Sequence, residues 1–166
     1  MLPKPHDLVL TPTSIRFRGR HFPRTIGRSG LSQEKREGDS ATPVGTHQIV
    51  GCLYRPDRIS RPNDWAVPIR PRDAWSDDPD DPDYNLMVEA PHGFSHEALK
   101  RADPLYDLIL LTDWNWPFAK KGRGSAIFLH RWRRLGFPTE GCIAFRPDHL
   151  QWIAARITPS TRLVVP

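Results

Sequence analysis

The sequence is poor in two features that define whole classes of protein, cysteine and long hydrophobic runs. Its 166 residues contain only two cysteines, Cys52 and Cys142. Two cysteines cannot form the dense disulfide network of a small secreted scaffold. The longest apolar runs, such as residues 108–111, are far shorter than the ~18 residues that a membrane-spanning helix needs. We therefore expect no integral membrane segment.

Proline is abundant, and it limits the kind of secondary structure that the chain can form. The 18 prolines are spread along the whole sequence, and a proline inside a helix removes a hydrogen bond and clashes with the preceding turn. Long helices and coiled coils are therefore excluded. Hydrophobic residues make up 38% of the chain and include six Trp, which is enough to form a core. We expect residues 1–166 to form a single domain, and we expect it to be a monomer.

The first seven residues read Met-Leu-Pro-Lys-Pro-His-Asp. They lack the apolar stretch of about 7–15 residues that characterises a secretory signal. Two expectations stay open: a cytoplasmic protein, or a protein whose export signal is not in this chain.

Short β-like segments dominate the sequence. Each is a few residues long and is bounded by Gly, Pro, Asn or Asp. The predicted strands are residues 8–10, 14–17, 24–26, 46–50, 86–88, 108–111, 125–129, 142–145 and 163–165. This pattern predicts a mainly β fold, either a β-sandwich or a barrel.

One or two short helices accompany the strands. Residues 95–101 could form one, with Ser95 as its cap. The second is predicted at residues 147–157, because Pro147 suits a first helical turn and Asp148 suits the positive end of the helix dipole. Its apolar residues recur at helical spacing, at positions 150, 153, 154 and 157. The acidic tract at residues 77–83 is predicted to be a solvated loop, since a calcium loop would need a glycine and a distal glutamate.

Cys142 is the candidate nucleophile. It stands where a turn containing Gly141 opens onto a β-like run, and His130 ends another such run twelve positions earlier. If the two runs are neighbouring strands, the thiol and the imidazole can face each other, which is the minimum unit for acyl transfer by cysteine. Backbone N–H groups of the turn, including that of Gly141, could then stabilise an oxyanion.

A basic stretch surrounds this pair in the sequence. Residues 114–139 contain six Lys or Arg and no acidic residue, so we expect a positive field that favours a Cys142 thiolate. Other interpretations stay open at this point. The cysteine could be a buried small hydrophobe, or a zinc ligand together with Cys52, His149 and His130, although no pair has ligand spacing. Basic residues interleaved with Trp are also typical of single-stranded nucleic-acid binding, but the net charge of only +5 weighs against nucleic acid as a partner.

Several segments together carry a resemblance to a known family. They are residues 35–46 (Lys-Arg-Glu-Gly-Asp-Ser-Ala-Thr-Pro-Val-Gly-Thr), Tyr84-Asn85, Tyr106-Asp107, residues 124–130 (Gly-Ser-Ala-Ile-Phe-Leu-His) and residues 138–144 (Pro-Thr-Glu-Gly-Cys-Ile-Ala). In this order they resemble the YkuD-type L,D-transpeptidase catalytic domain, over roughly residues 8–166. The commonest signature has a histidine where Glu140 stands and a polar residue where Ala144 stands, and its His-to-Cys spacing is longer. The chain therefore looks like a subgroup with the signature Thr-x-Gly-Cys.

The resemblance implies a function and a set of residues. It implies a cysteine-dependent L,D-transpeptidase of the bacterial cell envelope or periplasm that acts on peptidoglycan stem peptides without cofactor or metal. Cys142 would be the nucleophile and His130 the base, held by a backbone carbonyl of Arg131 or Gly141. The implied substrate contacts are Arg36, Tyr84, Arg131, Thr139 and Glu140. Water as acceptor would instead give an L,D-carboxypeptidase or amidase, and a non-catalytic binding module is the alternative of a different class.

Overall fold

The computed structural model describes residues 3–166 of the chain. This part contains fourteen strands and one helix, joined by turns and loops. In chain order the elements are β1 (Leu8–Leu10), β2 (Ser14–Phe17), β3 (Arg20–Thr25), β4 (Leu31–Ser32), β5 (Thr42–Pro43), β6 (Gly45–Tyr54), β7 (Val67–Pro68), β8 (Asp73–Ser76), β9 (Met87–Glu89), β10 (His96–Ala98), β11 (Leu108–Thr112), β12 (Phe128–Arg131), β13 (Ile143–Phe145), α1 (Pro147–Ala154) and β14 (Arg162–Val165). The prediction of a mainly β fold is confirmed.

The main sheet closes on itself through the long strand β6. Its strands follow the order β11-β12-β13-β3-β2-β1-β14-β6-β7, and β6 also pairs with β11. The first half of β6 pairs with β14, with Gly45 opposite Val165, and the second half pairs with β11, with Tyr54 opposite Leu108. One strand therefore joins both ends of the sheet, and the result is a closed, barrel-like sheet.

Strand β6 runs through Gly51, where the sequence pattern predicted that it would end. A Cβ atom at Gly51 would lie 2.7 Å from the Cδ1 atom of Leu111. The glycine therefore marks the close approach of β6 and β11, and not a turn. Cys52 follows it and is paired with Leu110 across the two strands.

Buried side chains form two clusters on either side of this sheet. The larger one fills the barrel and includes Cys52 and the apolar face of α1. The smaller one lies where β11 and β12 meet a separate three-stranded sheet of order β10-β8-β9. There the rings of Trp75 and Phe128 meet edge to face at 5.0 Å, and Cys142 packs against their cluster. The candidate nucleophile is thus placed between the barrel and the small sheet.

Helix α1 begins at Pro147 as predicted but ends at Ala154, three residues before the predicted end. After Ala154 the backbone tightens, and the N–H groups of Arg156 and Ile157 both donate to the carbonyl of Ile153. Ile157 is still buried, so the apolar periodicity correctly marked the packed face beyond the helix end. No helix among residues 3–166 has the length and apolar content to cross a membrane.

The second predicted helix, residues 95–101, is wrong. This segment contains strand β10, which pairs with β8 so that His96 lies opposite Ser76 and Ala98 opposite Ala74. Only a partner strand from a distant part of the chain favours the extended form, and such tertiary pairing overrides weak local helix propensity. The acidic tract at residues 77–83 forms the loop between β8 and β9, as predicted, but it is not fully solvated, because Asp81 is buried and its carboxylate contacts His92.

Candidate active site

A cavity of about 590 Å³ lies beside strands β12 and β13, and both Cys142 and His130 line it. The two strands are parallel neighbours, with His130 opposite Ala144. Cys142 comes two residues before Ala144, and side chains alternate along a strand. Cys142 and His130 therefore point to the same face of the sheet. The sequence prediction that the two runs are neighbouring strands is confirmed.

His130 is held in one tautomer by the backbone. Its side chain is buried, and its Nδ1 atom lies 2.7 Å from the carbonyl oxygen of Arg131. A carbonyl only accepts, so Nδ1 carries the hydrogen and Nε2 keeps a lone pair when the ring is neutral. Burial is the main cause that lowers the pKa of His130 to about 4, so the ring is neutral at pH 7. The expected backbone carbonyl partner is confirmed, and it is that of Arg131.

The ring of Tyr106 fixes the orientation of the imidazole from a second side. The two rings meet edge to face with their centroids 5.5 Å apart. Tyr106 is itself buried, and its hydroxyl group donates to Glu97 at 2.8 Å. The His130 ring is therefore held by packing on one side and by a hydrogen bond on the other.

Cys142 is partly buried in the wall of the cavity and is a neutral thiol at pH 7. Its Sγ atom donates to the carbonyl oxygen of Ala126 at 3.1 Å and accepts from the N–H of Phe128 at 3.4 Å. Burial is the largest of the causes that raise the pKa of Cys142 to about 12. No hydrogen bond joins this Sγ atom to His130 anywhere in the described chain.

The prediction of a resting thiolate is therefore wrong. Two of the basic residues that are close in sequence have other partners in space: Lys121 pairs with Asp80, and the guanidinium of Arg123 stacks 4.7 Å above the ring of Trp114. The nearby charges that act on the thiol come from other segments. The positive charge of Lys35 lowers the pKa of Cys142, and the negative charge of Glu97 raises it.

A backbone turn at Ala126 supplies the carbonyl that receives the thiol hydrogen. Ala126 has a φ of 52°, in the left-handed region, and strand β12 consequently starts at Phe128 and not at residue 125 as predicted. The side-chain amide of Asn85 holds this turn. Its oxygen accepts from the N–H of Ala126 and from the indole of Trp75, both at 2.9 Å. Its nitrogen donates to the carbonyl oxygens of residues 114 and 115, so every hydrogen-bonding group of this buried amide is used.

The turn before Cys142 requires glycine at position 141. Gly141 has a φ of 140°, and a Cβ atom there would lie 2.8 Å from the carbonyl oxygen of Ala41. Its N–H donates to Oγ1 of Thr139 at 3.1 Å, and that hydroxyl group donates in turn to the carbonyl oxygen of Cys142 at 2.5 Å. The sequence predicts that the N–H of Gly141 can stabilise an oxyanion. In this conformation it donates instead to the hydroxyl group of Thr139.

The structure divides the other predicted substrate contacts into two groups. Thr139 and Glu140 line the cavity, whereas Arg36, Tyr84 and Arg131 are not part of its lining. Both carboxylate oxygens of Glu140 are engaged, one with Arg28 at 2.9 Å and the other with the hydroxyl group of Ser40 at 2.5 Å.

Tyr84 lies behind the cavity wall and has two hydrogen-bond partners there. It is buried, donates to Glu37, and accepts from the N–H of Gly124 at 3.0 Å. Tyr84 thus links the segment before Ala126 to the segment around Glu37. Its neighbour in the chain, Asn85, stabilises the turn at Ala126.

Further polar residues line the cavity without having been predicted from the sequence. They are Lys35, Glu37, Asp77, His96, Glu97, Arg101, Ser125 and Arg133. The sequence does not reveal Glu97, because it lies on β10, where the sequence predicts a helix. It does not reveal Asp77, because that residue belongs to the acidic tract for which the sequence predicts a solvated loop. Only the pairing of β10 with β8 would have brought them to the cavity.

Among residues 3–166, no group of three or more His, Cys, Asp or Glu side chains is arranged to hold a metal ion. Cys52 lies in the barrel core, and His149 lies against the ring of Phe22 and lines a different surface cavity. Neither residue joins Cys142.

Comparison with known proteins adds one match. The model of the YkuD family, described as an L,D-transpeptidase catalytic domain, matches residues 17–165. No curated protein and no solved structure matches the chain.

Proposed function

The chain belongs to the YkuD family of L,D-transpeptidase catalytic domains, and on this premise we propose that it transfers acyl groups between peptidoglycan stem peptides through a thioester on Cys142. The observation that carries the proposal is the placement of Cys142 and His130. His130 lies on β12, and Cys142 immediately precedes β13, the parallel neighbour of β12. Both residues line one cavity, and the carbonyl of Arg131 leaves Nε2 of His130 with a lone pair. No cofactor is needed for this chemistry, and the site of action would be the cell envelope, where the substrate is.

Acylation begins from a neutral pair. The Cys142 thiol donates to Ala126 and the His130 ring is neutral at pH 7, so the thiol must turn from this carbonyl towards Nε2 when the substrate binds. His130 takes the thiol proton as the sulfur attacks a peptide carbonyl carbon. The imidazolium then gives the proton to the leaving D-amino acid, and the thioester remains on Cys142.

The turn that contains Gly141 would stabilise the oxyanion of the tetrahedral intermediate. The candidate donors are the backbone N–H groups of Gly141 and Cys142. Because the N–H of Gly141 donates to Thr139 in the resting structure, the oxyanion has to replace the Thr139 hydroxyl as its acceptor. We therefore propose that Thr139 keeps the N–H of Gly141 oriented and hydrogen-bonded until the substrate binds.

The cavity offers charged groups for both ends of a stem peptide. Arg101 and Arg133 line it, and their guanidinium groups suit the carboxylates of the donor stem. Lys35 also lines the cavity, but its ammonium group is already paired with Asp39. Thr139 and Glu140 remain candidate contacts in the wall. Arg36 and Tyr84 would influence the substrate only from outside this lining, and Arg131 acts through its carbonyl on His130.

Product analysis with a purified stem tetrapeptide tests the proposal. The wild-type protein is expected to release the terminal D-amino acid and to form cross-linked dimers, which mass spectrometry detects. Cys142→Ala is the control and should give neither. If the wild type produces only shortened monomers, water is the acceptor and the protein is an L,D-carboxypeptidase. If it binds the peptide equally well with and without Cys142 and releases nothing, the enzymatic proposal is wrong.

A further inference from the structure

One wall of the cavity carries a carboxylate that the reaction described above does not use. Glu97, on β10, lines the cavity together with Cys142 and His130, and its side chain is 30% exposed. Its Oε1 atom accepts from the hydroxyl group of Tyr106 at 2.8 Å and lies 3.6 Å from Nη1 of Arg101. Within residues 3–166, its other oxygen, Oε2, has no hydrogen-bond donor. The carboxylate is therefore fixed by one oxygen, and the other is open to a ligand.

Glu97 is within electrostatic reach of the reacting groups. Its negative charge raises the pKa of Cys142, and Tyr106, to which it is hydrogen-bonded, packs against the ring of His130. A ligand group that meets Glu97 is thus held in the same cavity as the thioester.

A second carboxylate gives this wall its preference for a positive ligand. Asp77 also lines the cavity, and its Oδ1 atom is buried without a hydrogen-bond partner in the described chain. The negative charge of Asp77 acts on Glu97, and two carboxylates on one wall favour a cationic ligand group beside Glu97. Burial and the charge of Asp77 both raise the pKa of Glu97, which makes Glu97 a stronger proton acceptor than an exposed glutamate.

Resting on the proposed function, we infer that Glu97 is the residue that receives the acyl acceptor, the amine that attacks the thioester. It binds the ammonium group of the acyl acceptor and takes the proton that this group must lose before it attacks the thioester. Glu140 does not offer this chemistry, because both of its oxygens are already bound by Arg28 and Ser40.

The transfer balances as follows. The acceptor arrives as an ammonium ion, one proton passes to the Glu97 carboxylate, and the freed electron pair forms a C–N bond to the thioester carbon. A second proton passes from this nitrogen to His130, the C–S bond breaks, and the sulfur of Cys142 takes that proton back. Glu97 then releases its proton to water. The products are the new amide and the free thiol, so the enzyme is regenerated.

The variant Glu97→Gln tests this role with little change of structure, because the glutamine oxygen can still accept from Tyr106. The donor is a stem tetrapeptide whose side-chain amine is acetylated, and the acceptor is a stem peptide with a free amine. We expect acyl-enzyme to form in the variant at close to the wild-type rate, as measured by intact-protein mass. Formation of the cross-linked dimer should fall about a hundredfold, in the range of general acid–base catalysis. Glu97→Asp should retain an intermediate rate.

Two controls make the result specific. Hydroxylamine is largely uncharged at neutral pH and needs no deprotonation, so it should release the acyl group equally fast from the wild type and from Glu97→Gln. Glu89→Gln removes an exposed carboxylate of the same small sheet, where it pairs with Arg72, and should leave the dimer yield unchanged.

Each of the other outcomes has a defined meaning. If Glu97→Gln forms dimers as fast as the wild type, or if it slows hydroxylamine as much as the peptide amine, the inference is wrong and the proposed function stands. If Glu97→Gln fails to acylate, its role is not specific to the acceptor and the inference is again wrong. A wild-type protein that never forms an acyl-enzyme overturns the proposed function itself.

Discussion

Cys52 and Cys142 differ far more in their surroundings than in their acidity. Burial raises the pKa of each thiol to about 12. Cys52 is 1% exposed in the barrel core, and it lies on β6 opposite Leu110 of β11. Cys142 lines a cavity, donates to a carbonyl, and shares the cavity with a neutral histidine. If Cys142 is the nucleophile, as proposed, its access to the cavity and the nearby histidine distinguish it from Cys52, because the resting pKa does not.

The largest expected effect separates the two thiols directly. Cys142→Ala should abolish product formation, since no other thiol reaches the cavity from the described chain. Cys52→Ala should retain the wild-type rate and lose only about 1 kcal/mol of the free energy of unfolding, the cost of removing one buried atom from a core. Product analysis and denaturant unfolding of both variants measure these effects. Loss of activity in Cys52→Ala with an intact fold would break the comparison.

The next effect concerns His130, the proposed proton acceptor that shares the cavity with Cys142. His130→Gln should slow acylation by about 10²–10⁴-fold, the contribution of a positioned general base. The measurement is single-turnover acyl-enzyme formation followed by intact-protein mass. A variant that acylates as fast as the wild type would remove His130 from the mechanism.

The same variant should change how stability depends on pH. The pKa of His130 is about 4 in the folded protein, whereas a histidine in the unfolded chain has its ordinary pKa of 6.5. Between these values the unfolded chain binds a proton that the folded one does not. Stability therefore rises with pH through this window, and the His130 contribution is fully lost below about pH 4. Denaturant unfolding of wild type and His130→Gln between pH 4 and 7 should show a shallower pH dependence in the variant, by up to about 3 kcal/mol. Equal slopes would contradict the assignment of a buried neutral imidazole.

A smaller effect compares the glycines that precede each cysteine. Gly141→Ala places a Cβ atom 2.8 Å from a backbone oxygen at a φ of 140°, whereas Gly51→Ala places it 2.7 Å from the end of the Leu111 side chain. Backbone strain of this kind costs about 1–3 kcal/mol, and the Gly141 variant should also lose activity because it displaces the turn. The Gly51 variant should lose less stability and keep its activity, because a side chain can move. Melting temperatures and initial rates of both variants check this, and a larger loss in Gly51→Ala would reverse the comparison.

The parts of this structure that the sequence predicts are those determined locally. His130 ends one short β-like run and Cys142 begins another, so the sequence alone suggests that the two residues can face each other. The start of the helix at Pro147 follows from the residues of its first turn. Features that depend on distant segments were missed. Strand β10 forms because β8 lies beside it, and β6 continues past Gly51 because β11 lies beside it.

The charge state of Cys142 was missed for a related reason. Its pKa depends on burial and on Lys35 and Glu97, which come from other parts of the chain, and not on the lysines and arginines next to it in sequence. Arg36 and Tyr84 were expected at the substrate from the order of motifs. Whether they influence it from outside the cavity lining stays a prediction.

The central claim, a thioester on Cys142, is tested most directly by trapping it. The wild-type protein is mixed with the acetylated donor tetrapeptide without an amine acceptor, quenched in acid, weighed intact and then digested to locate the added mass. We predict one acyl group on Cys142, none on Cys52 and none in Cys142→Ala. An adduct on Cys52, or release of the D-amino acid at full rate by Cys142→Ala, would contradict the account.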